Sequence, residues 1–306
     1  MARTPIDTTP ESETTAAGTP SKARMIVFFV LLALFALMHG FMSPLPFAVL
    51  GWFLDEGAVS HRVHEIAFGW IFVMSLAGLL GHVRRPGQRI AQMYQVVIAL
   101  WLLVGVTLVV DRYFDPFVGA FLVIPLLLVV LHPGRAELLR PSINVSKTLA
   151  VAAALAVVPL LVYSFVEFRI GLEASRVAPQ IFEGLDDDAS ESEFNAAARE
   201  GTSSNEELEQ VLHYGHWSAM GAFSLIIVGL AALAAARPAG WRLPAWSAGL
   251  SSVLFGLASI ANPGDASALN AYWASVATAW GVGFILAAER VRREHEPNKM
   301  AEAVSA

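Results

Sequence analysis

The sequence contains no cysteine. That absence removes thiolate metal sites, iron–sulfur clusters, disulfides and c-type haem attachment from the available chemistry. Any metal must be held by His, Asp, Glu or Met. Charge is scarce too: 15% of the 306 residues are Asp, Glu, Lys or Arg, against about 25% in a typical soluble domain. The charges are clustered and separated by long uncharged apolar runs, which is how membrane-spanning helices read. The net charge of −6 identifies no partner, because its sign changes from loop to loop. Nothing in this pattern calls for nucleic acid. The partner it calls for is the lipid bilayer.

What is present is a series of apolar segments in a chain that is 56% hydrophobic. Eight are long enough to read as membrane helices: Met25 to Met42, His61 to His82, Gln92 to Val110, Pro116 to Leu131, Thr148 to Val166, His213 to Ala236, Leu243 to Ala261 and Leu269 to Ala288. Pro125 should bend the fourth. Phe47 to Leu54 is apolar but too short to cross, since a crossing takes roughly 20 residues. Residues 1–23, rich in Thr, Ser, Pro, Ala and Glu, should be disordered. No small-residue cleavage site follows the first apolar run, so it reads as an uncleaved helix rather than a signal peptide. The expected fold is an all-α polytopic bundle over 24–290, with tails at 1–23 and 291–306. An acidic segment from Glu167 to Gln210, carrying Asp186–Asp188, interrupts it and offers a surface to a protein partner. That aspartate run lacks the spaced ligands and glycine of a calcium loop.

Arg and Lys gather in alternate connections: Lys22 and Arg24; Arg84, Arg85 and Arg89; Arg135, Arg140 and Lys147; Arg237 and Arg242; Arg290, Arg292, Arg293 and Lys299. The intervening connections are poor in positive charge. The positive-inside rule then puts both termini in the cytoplasm of a cell (inner) membrane. With that topology His39, His61, His64, His213 and His216 fall in the outer layer with Glu65. His82, His132, Gln92 and Gln95 fall at the inner interface, and Trp217 fits the interfacial aromatic belt. The helix centres carry no Asp, Glu, Lys or Arg, which weighs against an ion-coupled pump.

His61 and His64, and again His213 and His216, are three residues apart at the start of a helix. Such pairs share a helix face, and imidazole with carboxylate suits Zn, Cu or Fe. The two pairs open the second and sixth of eight helices. In a 4+4 tandem repeat those helices are equivalent, and His39 corresponds to about Tyr163. The plainer reading of any one of these histidines is a solvated interfacial side chain, and that of the glycine pairs (Gly78/Gly81, Gly221/Gly229, Gly249/Gly256, Gly281/Gly283) is close helix contact.

His64-Glu65-x-x-Phe68-Gly69 resembles a stretch of the NnrS family of polytopic bacterial membrane proteins. The resemblance covers about six residues and implies haem or copper. It departs from the family pattern in the spacing of the preceding histidine, His61. The order His-x-x-His-Glu is not that of the zinc proteases, so peptidase chemistry does not carry over.

Two functions follow as expectations. In the first, a transition metal or haem is held by His64 and His216, with His61, His213 and His39 next, in a redox enzyme or sensor. Glu65 then orients an imidazole or acts as a base. In the second, a metal-free permease for a neutral solute, or an assembly subunit, works through the acidic segment.

Overall fold

The computed structural model describes residues 21–305 apart from 54–60, 85, 113–115, 184, 186–188, 213 and 214. His213 and Asp186–Asp188 therefore lie outside the described residues. Among those described, every regular element is helical.

The helices are α1 (Lys22–Met42), α2 (Phe47–Leu50), α3 (Arg62–Leu80), α4 (Ile90–Val110), α5 (Pro116–Leu131), α6 (Arg135–Leu139), α7 (Lys147–Ile181), α8 (Glu191–Gly201), α9 (Asn205–Leu212), α10 (His216–Ala236), α11 (Arg242–Ala261) and α12 (Ala271–Ser305). Seven of them (α1, α3, α4, α7, α10, α11 and α12) are long and apolar enough to cross a membrane, and Val118–Leu131 is a shorter apolar helix. All eight expected segments are thus helical. These helices suit a membrane, and so do outward-facing side chains: Leu34, Val151, Leu155, Val158, Phe165 and Leu286 are all exposed.

Each long helix has identifiable ends. Ser21 caps α1 and Ser146 caps α7 through side-chain bonds to the backbone. At the other end of α5, the Arg24 guanidinium donates to the carbonyls of Val130, Leu131 and His132. Those carbonyls have no partner within their own helix, and a cation suits that end of the dipole. Because Ser21 caps α1, the helix starts at Lys22, slightly before the expected boundary.

The helices close into two similar groups. α3 packs on α1 and α4, and α5 on α4 and α1; α10 packs on α7 and α11, and α12 on α11 and α7. Between the groups α10 leans on α3 and α4, and α11 on α3. Lipid offers no hydrophobic drive for helices to associate, so close packing of small side chains does much of the work. Along α11 and α12 a methyl built on Gly281 would come within 2.4 Å of the Gly249 carbonyl, and one on Gly256 within 2.4 Å of the Ala274 carbonyl. Gly283, by contrast, faces open space, so the close-contact reading fails there.

Three further expectations need correction. The segment after Val166 is not a loop: α7 continues to Ile181, about 52 Å at 1.5 Å per residue. Its last turns pack with α8 and α9 around Ala178, Ala198 and Val211. The amphipathic pattern had been masked by acidic composition. Glu167 therefore sits inside a helix, and buried. Gln92 and Gln95 are not interfacial but buried, donating to the carbonyls of Gly240 (3.2 Å) and Met74 (2.7 Å). Trp217 is likewise buried rather than part of an interfacial belt.

Candidate functional site

The expected outer histidines start from backbone geometry. His61 precedes the first turn of α3, whose Val63 N–H is taken by Asp265 at 3.4 Å. Glu65, one turn on, lies in the positive end of the helix dipole and accepts from His61 Nε2 at 3.2 Å. His216 opens α10 after Gly215, whose φ of 86° lies where glycine alone is unstrained.

Packing of α3 against α10 brings these starts together. The rings of His64 and His216 stack with centroids 3.9 Å apart and planes 8° apart; His61 lies 5.3 Å from His216. Phe68 stacks on the other side of His64 at 5.4 Å. Beneath the cluster is an apolar cavity of about 340 Å³ whose lining includes Phe68, Phe72, Val104, Asp111, Phe121 and Ala219. Phe68 lines it, and Met220 is buried in the core. Asp111 accepts from the Ser218 hydroxyl.

His39 is elsewhere. It is wholly buried, with Nδ1 bonded to the Phe35 carbonyl (3.0 Å) and Nε2 to the Ser75 hydroxyl (3.1 Å). Its ring meets Phe35, Phe72 and Phe121, so it reaches the cluster through Phe72 and Phe68. Both ring nitrogens are engaged within the bundle.

The geometry limits what the cluster can hold as it stands. A metal ion lies in the plane of each ligating imidazole, about 2.0–2.1 Å from nitrogen. Two nearly parallel, stacked rings do not share such a point. Nor does a 3.9 Å separation admit a porphyrin between His64 and His216. Among the described residues no three His, Asp or Glu side chains form a ready-made ligand set.

Burial supplies the electrostatics at the nearby carboxylate. Desolvation pushes Asp111 up to about 6, with the Ser218 hydroxyl pulling the other way. The charged form is thus penalised in the folded state. Asp111→Asn is expected to raise the thermal midpoint at pH 8, where the native carboxylate is charged at a cost. At pH 4 the gap should shrink. Equal midpoint changes at both values would show that the charge is not the cause.

A second histidine pair was underrated by sequence. His82 and His132, expected at an interface, are wholly buried at the arginine-rich end. Their rings meet edge to face at 5.3 Å, and Phe28 packs on both. His82 Nδ1 bonds the Gly78 carbonyl at 2.8 Å, while His132 Nδ1 accepts from the Gly134 N–H at 3.0 Å. Those bonds select opposite tautomers: a bare Nε2 on His82 and a protonated Nε2 on His132. Spacing could not have found this pair, because its members come from the ends of two different helices.

Burial lowers both of these histidines. His132 falls to about 3, pushed further by the charges of His82 and Arg24, while His82 falls mainly by burial, with the charge of Arg89 pushing the same way. A depressed histidine contributes stability that is complete above the unfolded value near 6.5. It is lost as pH falls from there toward the folded value. Thermal midpoints should therefore drop on acidification below pH 6.5. His132→Asn, which keeps an acceptor for Gly134, should flatten that slope; an unchanged slope would count against the pair as its source.

No protein-family model, curated protein or solved structure matches the chain. Its class, a multi-pass helical membrane protein, rests on the seven long apolar helices.

Proposed function

We propose that this protein binds a transition-metal ion (Cu, Zn or Fe) at the imidazole cluster where α3 meets α10. The observation that carries the reading is the convergence of His64 and His216 at 3.9 Å, with His61 5.3 Å from His216 and Glu65 on His61 at 3.2 Å. Ligation requires one imidazole to turn out of the stack, a motion about the soft torsion that carries the ring. Glu65 holds His61, as carboxylates behind metal-binding imidazoles do. His213, three residues before His216 in sequence, is a further ligand to test. His39 is left out, because both its nitrogens are occupied. The separation of the rings favours a single ion over haem between them.

The six-residue resemblance to the NnrS family is a supporting argument for copper. We further infer that α5 is the eighth crossing and that both termini are cytoplasmic, from the arginine-rich connections. The parallel packing of α1, α3, α4, α5 and of α7, α10, α11, α12 supports a 4+4 repeat. In that repeat α3 and α10 are equivalent helices.

The test is elemental analysis with an optical spectrum on detergent-purified protein. About one equivalent of metal per chain, with tetrahedral, N-rich ligation if it is zinc, is expected. Metal-free, colourless protein sinks the reading. The stacking of the two rings favours the second reading in that event. The protein is then a metal-free permease or an assembly subunit, with α8 and α9 of the acidic segment as its contact surface.

A further inference from the structure

The second large cavity shares no residue with the imidazole cluster. It lies between α7, α11 and α12, occupies about 420 Å³ and is walled in part by Tyr163, Glu167, Phe255, Asn270, Trp273 and Trp280. That volume is in the range of small-molecule sites, about 300–1,000 Å³. Its rim includes Leu155, Val162 and Val166, side chains exposed on the apolar outside of the bundle. The opening therefore faces the apolar outside of the bundle, beside α7 and α12.

One group in this wall is out of place. Glu167 is only 4% exposed, in an apolar helix. It accepts from the Ser267 hydroxyl at 2.9 Å, with the Tyr163 phenol beside it; that phenol donates to the Ser267 carbonyl at 2.8 Å. Among the described residues no Lys or Arg forms an ion pair with Glu167. An ionisable side chain at membrane depth is costly and normally has a partner or a task. Two other polar groups nearby are committed: Ser252 to the Ala277 carbonyl at 2.8 Å and the Trp280 indole to the Ala152 carbonyl at 2.8 Å.

A buried carboxylate in a wall that also carries Tyr163, Phe255, Trp273 and Trp280 has the composition an organic cation requires. The ring faces attract the positive charge, the carboxylate pairs with it, and the apolar slot takes the hydrocarbon part. We propose that this cavity is a binding site for a lipophilic organic cation, entering from the membrane between α7 and α12, with Glu167 as its counter-charge. The same chemistry describes the choline head of a lipid and a free amphiphilic cation.

The test uses labelled tetraphenylphosphonium and the full chain in nanodiscs of an uncharged glycolipid or of phosphatidylcholine. Saturable binding is expected in the glycolipid discs. Suppression in the phosphatidylcholine discs identifies the lipid head as the occupant; equal binding in both identifies a free amphiphile. Glu167→Gln should weaken binding about tenfold or more, the loss of a desolvated charge partner. Trp273→Leu, at a half-exposed position that tolerates the change, should weaken it about threefold or more. It decides the matter if the Glu167 variant fails to fold. Absence of saturable binding, wild-type binding in both variants, or equal competition by a neutral aryl isostere overturns the proposal. None of these results depends on whether metal occupies the imidazole cluster.

Discussion

Removal of either stacked imidazole, by His64→Ala or His216→Ala, is expected to empty the proposed metal site. The two residues are on different helices and provide the link across the α3–α10 seam. Losing a directly ligating group should weaken metal binding by about a hundredfold or more, beyond the roughly tenfold to hundredfold that loss of an orienting partner costs. Glu65→Gln, which touches His61, should fall within that lower range. His39→Ala should leave metal content unchanged, because its nitrogens bond Phe35 and Ser75. Metal content is read by elemental analysis after gel filtration, and folding by thermal unfolding. Wild-type metal content in both the His64 and the His216 variants would falsify the site.

Gly69→Val is expected to destabilise the fold more than any change at the cluster. A methyl at Gly69 alone would come 2.3 Å from the Ala48 amide and 2.9 Å from the Pro44 carbonyl. The contact is with backbone, which cannot swing aside as a long side chain does. Overpacking typically costs about 1–3 kcal/mol, and the three carbons of a valine side chain against backbone should reach or exceed the upper end. The cause is local: α2 lies directly on α3, so the short apolar stretch after α1 tucks against the bundle. The glycine that ends the His-Glu-x-x-Phe-Gly stretch is therefore required by packing, whatever the histidine and glutamate bind. A drop in thermal midpoint without selective metal loss in the folded fraction is the expected signature. An unaffected midpoint would mean that α2 can leave α3 at little cost.

These two results separate the parts of one motif. His64 faces the α10 seam, while Gly69 accepts α2. Residues adjacent in sequence thus answer to different constraints, one chemical and one steric. The motif alone could not distinguish them.

The amino-acid sequence by itself determined the class of the protein. Apolar runs with charges confined between them force backbone bonds to close within each segment, and in lipid that leaves helices. It also marked His64 and His216, because paired histidines at helix starts are visible as spacing. Other features were settled only by tertiary structure. The stacking of His64 on His216 depends on the angle and register at which α3 meets α10, and no local pattern encodes either. His39 was grouped with the cluster by depth, but rotation of α1 turns it into a core of Phe35, Phe72 and Phe121. His82 and His132 looked interfacial by position, yet the folding-over of α6 and the Arg24 clasp on α5 bury them. Glu167 looked like the first residue of a loop until α7 carried it into the wall of a cavity. Depth along a helix follows from counting residues. Direction around it, and what waits there, follows from which helices pack together.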